Sequence, residues 1–116
     1  MKIRSLVVLL ALASSFANAG GDAARAGAEK SAVCAACHGA DFNTPVSADI
    51  PLLAGQYPDY LARALIDYKS GARKNPVMNG QTTALSAQDI GDISAYIGGL
   101  RGKLKSIPLQ RFLSSN

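Results

Sequence analysis

The sequence predicts an all-α domain built from three main helices. Three runs place apolar residues at helical spacing between residues that start and stop helices, and no stretch alternates polar and apolar residues as a half-buried strand would. There is no internal repeat or low-complexity tract, and 116 residues leave room for one core rather than two.

The first helix is expected from Asp22 to about Ala36. Asp22 is a suitable N-cap, alanine dominates the run, and Arg25 and Glu29 stand four apart on the face expected to be wet. Ala26, Val33, Cys34 and Cys37 then share the inner side. From Gly39 to Gly55 the chain is rich in Gly, Asn, Thr and Ser, holds Pro45 and Pro51, and keeps no period, so it reads as a loop. Pro58 suits a first helical position, and Tyr60, Leu61, Ala64, Leu65 and Tyr68 recur at helical spacing until Ser70-Gly71, which gives the second helix. Arg73 to Gly80, with Pro76 and Gly80 among polar residues, is expected to be neither helix nor central strand. Ser86 caps the third helix, Asp89 favours its dipole, and Ile90, Ile93, Tyr96, Ile97 and Leu100 form its apolar face, with Gly98-Gly99 weakening its end.

The two ends of the chain read differently from the middle. Lys2 and Arg4, the apolar run Leu6 to Ala13, and Ala17-Asn18-Ala19 have the layout of a cleaved export signal, so residues 1–19 are expected to be removed. The apolar run falls well short of the roughly 20 residues a spanning helix needs, which makes a permanent anchor the weaker reading. Residues 20–100 form the domain proper, and 101–116 a C-terminal extension with Arg101, Lys103, Lys105 and Arg111 among apolar residues. That extension is either a short helix laid on the domain or a segment that docks a partner. Lys2 and Arg4 leave with the signal, so the formal charge of +4 falls by two. A nearly balanced domain gives no case for nucleic acid. A domain of this size buries only about two-thirds of its unfolded surface and is marginal without a staple.

Cys34-Ala35-Ala36-Cys37-His38 is the sharpest chemical signal. Two thiols at this spacing on one end of a helix can add to the two vinyl groups of a haem, and the next residue then sets an imidazole against the iron. A redox dithiol would want a strand-helix-strand context, a structural zinc would need a fourth ligand beyond these three, and a plain disulfide leaves His38 without a reason. One covalent haem c is therefore the expected cofactor. His38 is the only histidine, and Met78 is the only methionine once Met1 has left. Met78 lies in polar turn surroundings with no apolar stripe to complete, some forty residues after His38, where a loop can wrap to the far side of a haem. It is the expected second axial ligand, with a five-coordinate iron or a Lys74 ligand as the alternatives. A closed His/Met iron suits electron transfer and disfavours catalysis, because no position is left for substrate and the thioether favours the ferrous state.

From about Gly21 to Leu100 the residues resemble the class I c-type cytochromes, and within them the bacterial cytochrome c553 group and single halves of the two-haem cytochrome c4 group. The stretches that carry the resemblance are Cys34 to Gly39, Ile50 to Gln56, Pro58 to Leu61, Tyr68 to Arg73, and Leu85-Ser86 through Ala95-Tyr96-Ile97. It implies three main helices wrapped around one haem, the first and last crossing, with Gly27 giving close approach to Tyr96. It also implies that the Pro51 carbonyl accepts the Nδ1 proton of His38 and so leaves Nε2 for iron. The single haem motif excludes a tandem form within this chain, and the residues after Leu100 run past the usual end.

The expected function is a periplasmic electron carrier, monomeric, serving a redox donor and acceptor transiently and meeting membranes only through partner complexes. The alternatives are an electron-entry subunit of a dehydrogenase or oxidase, held by the apolar tail, and a small haem enzyme or gas sensor with an open axial site.

Overall fold

The computed structural model describes residues 19–104; the expected export signal before Ala19 and the part of the extension after Leu104 lie outside the described residues. Five helices follow in order: α1 (Ala19–Lys30), α2 (Ala32–His38), α3 (Pro58–Ser70), α4 (Pro76–Thr82) and α5 (Ala87–Gly99). There is no strand among the described residues, which agrees with the all-α expectation. No helix among them is long and apolar enough to cross a membrane.

Two helix expectations need correcting. The run expected as one helix from Asp22 begins at Ala19 and is interrupted at Ser31, separating α1 from α2. Ser31 is buried, its hydroxyl donates to the Ala28 carbonyl at 3.2 Å, and the Cys34 N–H reaches back only three residues to the Ser31 carbonyl, so the turn tightens there. Asp22 consequently lies inside the first turn rather than at the cap, and Arg25 pairs with it rather than with Glu29.

The stretch expected to be non-helical contains α4. Pro76 occupies its first turn, and the Asn75 side chain accepts from the backbone N–H groups of Val77 and Met78 at 3.0 and 3.1 Å. Proline lacks the N–H that an initial turn leaves unpaired, and asparagine supplies the acceptor for those that follow. A seven-residue helix made this way has too little length to show a period.

α5 is the centre of the packing, in contact with both α1 and α3. Its start is a reciprocal cap: Ser86 Oγ accepts from the Asp89 N–H at 3.1 Å, and Asp89 Oδ2 accepts from the Ser86 N–H at 2.8 Å. Ile93 and Ile97 join Phe42, Ala54 and Leu61 in the buried core. Gly27 of α1 lies against α5 so closely that a methyl group there would overlap the Asp92 carbonyl oxygen and come within 2.5 Å of Tyr96 Cβ. Gly98 does more than weaken a helix end. A Cβ there would meet the Pro58 ring at 2.7 Å, so its lack of a side chain lets α3 start against α5.

The 39–55 loop folds back beneath α2 rather than extending away. Gly39 has φ of 90°, and a side chain on it would strike the Thr44 backbone. The Val46 N–H then donates to the Cys37 carbonyl at 3.0 Å. Phe42 also sits at positive φ, 54°, where its carbonyl accepts from both Leu53 and Ala54 while its ring meets Tyr96 edge-on at 6.4 Å. Beyond α5 the chain remains attached to this loop, with Asn43 Nδ2 donating to the Arg101 carbonyl and Asn43 Oδ1 accepting from the Lys103 N–H.

Candidate functional site

Helices α2 to α5 and the 39–55 loop line an open cavity of about 1000 Å³. Cys34, Cys37 and His38 line it from α2, Pro51 to Leu53 from the loop, Leu61, Leu65 and Tyr68 from α3, Met78 from α4 and Ile93 and Ile97 from α5. All four residues expected to hold a haem therefore share one space, together with Pro51. Lys74, the alternative ligand, is not among the lining residues.

His38 closes α2 and is buried, with Nδ1 2.9 Å from the Pro51 carbonyl oxygen. A carbonyl can only accept, so Nδ1 carries the proton and Nε2 keeps its lone pair for a metal. Cys34 is half-buried and Cys37 exposed, one helical turn apart and free of any disulfide. Burial pushes the Cys34 thiol up, with the neighbouring Cys37 adding to the rise. A redox dithiol needs a depressed thiol pKa, so this environment disfavours that reading of the Cys34–Cys37 pair.

Val33, expected to face inward, stands 62% exposed beside the cavity. Arg73 is a feature that the periodic pattern does not mark. It is the one Lys or Arg among the described lining residues, and its guanidinium lies 4.8 Å from the centre of the Tyr68 ring. A hydrogen bond with Tyr60 raises its pKa from an already high value, and a guanidinium stays charged in any case. The support around Met78 is likewise invisible to periodicity, although Asn75-Pro76 is itself a cap-and-first-turn signature.

The space fits a haem. Its volume is at the upper end of the roughly 300–1,000 Å³ of cofactor pockets. Its wall is mostly apolar, with Leu52, Leu53, Leu61, Leu65, Ile93 and Ile97 among the lining residues, a surface that a large apolar body would take out of water. The walls also carry what a haem needs besides apolar surface: two thiols, an imidazole, a thioether and one cation for its carboxylates.

The family model described as Cytochrome c matches residues 24–101. The chain belongs to the cytochrome c family. It is 50% identical over 92 residues to cytochrome c4 of Pseudomonas aeruginosa, covering 79% of this chain and 44% of that one. It is 40% identical over 70 residues to the cytochrome subunit of sulfide dehydrogenase of Chlorobaculum tepidum, covering 60% and 62% of the two chains. Among solved structures, reduced recombinant cytochrome c4 from Pseudomonas stutzeri superposes with a TM-score of 0.63 at 30% identity, covering 70% of this chain and 50% of that one. The chain thus spans about half the length of the cytochrome c4 relatives it matches. The family carries covalent haem c, and the Cys34-to-His38 motif accords with that.

Proposed function

We propose that this cytochrome c is a periplasmic single-haem carrier of electrons between redox proteins and not an enzyme. Cys34 and Cys37 attach the haem, and His38 and Met78 are its axial ligands. The observation that supports this best is the gathering of the sole histidine and the sole methionine outside the N-terminal segment on one cavity with both cysteines, His38 already held by Pro51 in the iron-binding tautomer. When bound, the haem supplies a reversible one-electron couple. The chain's residues do the rest. Pro51 orients the imidazole, the apolar wall of Leu61, Leu65, Ile93 and Ile97 excludes water, and Met78 closes the remaining iron position to outside molecules. The donor and acceptor are redox proteins met transiently by a monomer. Residues 1–19 act as the export signal, 20–100 as the haem domain and 101–116 as an extension.

An optical spectrum of the purified holoprotein tests the ligand set. Covalent haem with the weak far-red band of a methionine–ferric iron bond, and no carbon monoxide binding by the reduced form at neutral pH, is the expected result. Ready carbon monoxide binding would favour the enzyme or sensor reading instead. A second role, as the electron-entry subunit of a dehydrogenase, gains support from the similarity to a subunit named for sulfide dehydrogenase. Sizing the native complex separates the two: a carrier runs as a free small protein and a subunit with its enzyme.

A further inference from the structure

We infer that Asn79 is a positioning residue, which pins the Met78-bearing helix to the end of α3 and so keeps the thioether on the iron. The inference rests on Met78 being the axial ligand and adds what holds it there. The Asn79 side chain uses both ends. Its Nδ2 donates to the Tyr68 carbonyl at 2.6 Å and to the Arg73 carbonyl at 3.0 Å, and its Oδ1 accepts from the Asn75 N–H at 2.9 Å. The amide orientation follows from the partners, since two carbonyls must receive donors and an N–H must meet an acceptor. Tyr68 belongs to the last turns of α3, Arg73 to the turn after it, and Asn75 caps α4, so one side chain joins three points of the backbone that leads to Met78.

The rest of α4 offers little else to hold it in place. It has seven residues, Thr82 alone among them is buried, and Val77, next to Met78, is 64% exposed. A helix this short has little stability of its own, and apolar burial adds little here. Thr82 Oγ1 and Thr83 Oγ1 donate to carbonyls of α4 itself, which stiffens the helix without fixing it to anything. Among the side-chain hydrogen bonds of the described residues, the one from Asn79 to Tyr68 is the one that joins α4 to α3, and the one to Arg73 joins α4 to the turn that follows α3. Losing them should populate a state in which Met78 has moved off the iron, and an outside ligand should then bind in proportion to that population.

The experiment titrates ferric holoprotein with imidazole while following the far-red band, in wild type, Asn79→Ala, Asn79→Asp and Lys30→Ala. The aspartate keeps the acceptor toward Asn75, loses both donors and sets a carboxylate oxygen against the Tyr68 and Arg73 carbonyls, so it breaks the contacts to α3 and the turn after it and serves if the alanine variant does not fold. Lys30 pairs across the α1–α5 seam with Asp89 and Asp92, so its alanine variant loosens the fold without touching the Asn79 contacts. Both Asn79 variants should keep covalent haem and bind imidazole on the order of tenfold more tightly than wild type, as expected for the loss of two hydrogen bonds in the aspartate and three in the alanine. Lys30→Ala should bind it as wild type does. An Asn79 effect under twofold, or an equal rise in Lys30→Ala, overturns the inference while leaving Met78 as the ligand. A wild type that lacks the far-red band overturns the ligand assignment itself, and with it the role given to Asn79.

Discussion

Where α1 meets α5, the backbones approach so closely that Gly27 has no room for a methyl group, whereas α4 meets the end of α3 through the amide of Asn79. The first region is a seam of apolar packing reinforced by charge. Ile93 and Ile97 are buried beside it, and Lys30 reaches across to Asp89 at 2.9 Å and Asp92 at 2.7 Å. The second region buries Thr82 and little apolar surface, and relies more on directed hydrogen bonds. One consequence is a division of labour: the seam resists disruption by contact area, while α4 holds its methionine by a few bonds that can open. A ligand held in that way can be lost without unfolding the domain.

The largest perturbation removes what both regions surround. Cys34→Ala with Cys37→Ala should abolish covalent haem and with it the folded state, because a domain this small has no other large apolar body on which its helices can close. Circular dichroism of the double mutant should show a largely unfolded chain; a folded, haem-free helical protein would contradict this account.

Met78→Ala probes the α4 side alone. Haem should remain attached, the reduction potential should fall on the order of 0.1 V within the roughly 0.8 V that axial ligands span, and carbon monoxide binding and peroxidase activity should appear. Voltammetry and gas titration read these out. A wild type that already binds carbon monoxide as readily as the variant would show that another group, or none, occupies that position.

Gly27→Ala probes the seam alone. The added methyl overlaps the Asp92 carbonyl, and overpacking of this kind costs about 1–3 kcal/mol. The denaturation midpoint should drop while the far-red band of the folded fraction is retained. If the band weakens as much as stability does, the two regions are more tightly coupled than their contacts indicate.

The charges on the seam give a smaller effect with a definite pH dependence. Hydrogen bonds from Lys30, then from Ser86, hold the Asp89 carboxyl well below its ordinary 3.8, and Lys30 followed by Gln88 lowers that of Asp92. Depressed carboxylates add stability that is fully present above 3.8 and lost as pH falls through their lower folded values. Lys30 is raised above 10.5 by the same two partners, so its share is present below 10.5 and lost as pH rises through the raised value. Lys30→Ala should flatten the acid limb of a stability-against-pH curve. An unchanged limb would place the acid sensitivity in other carboxylates.

Ionic strength should matter least. With the domain's charge nearly balanced, steering depends on a local patch such as Lys69, Arg73 and Lys74, and stopped-flow rates with a redox partner should fall less than tenfold between low and physiological salt.

α3 and α5 were legible in the sequence because their apolar residues recur over three or more turns, and Ser86 and Gly71 mark ends that depend only on local backbone chemistry. The Cys34-to-His38 motif was legible because one helical turn sets the spacing of its thiols and its imidazole. Other features depend on residues far apart along the chain. α4 was hidden because its stability comes from Asn75 and from Asn79 bonding to backbone six and eleven residues earlier, not from a periodic face. Phe42 reached the core from within a polar loop because its carbonyl and ring are met by Leu53, Ala54 and Tyr96. Spacing and residue type alone determined the main helices, the haem-binding motif and the candidate ligands. Only the tertiary structure decided that Cys34, Cys37, His38 and Met78 share one cavity with Pro51, because that depends on chain segments meeting across tens of residues, where local propensity exerts no force.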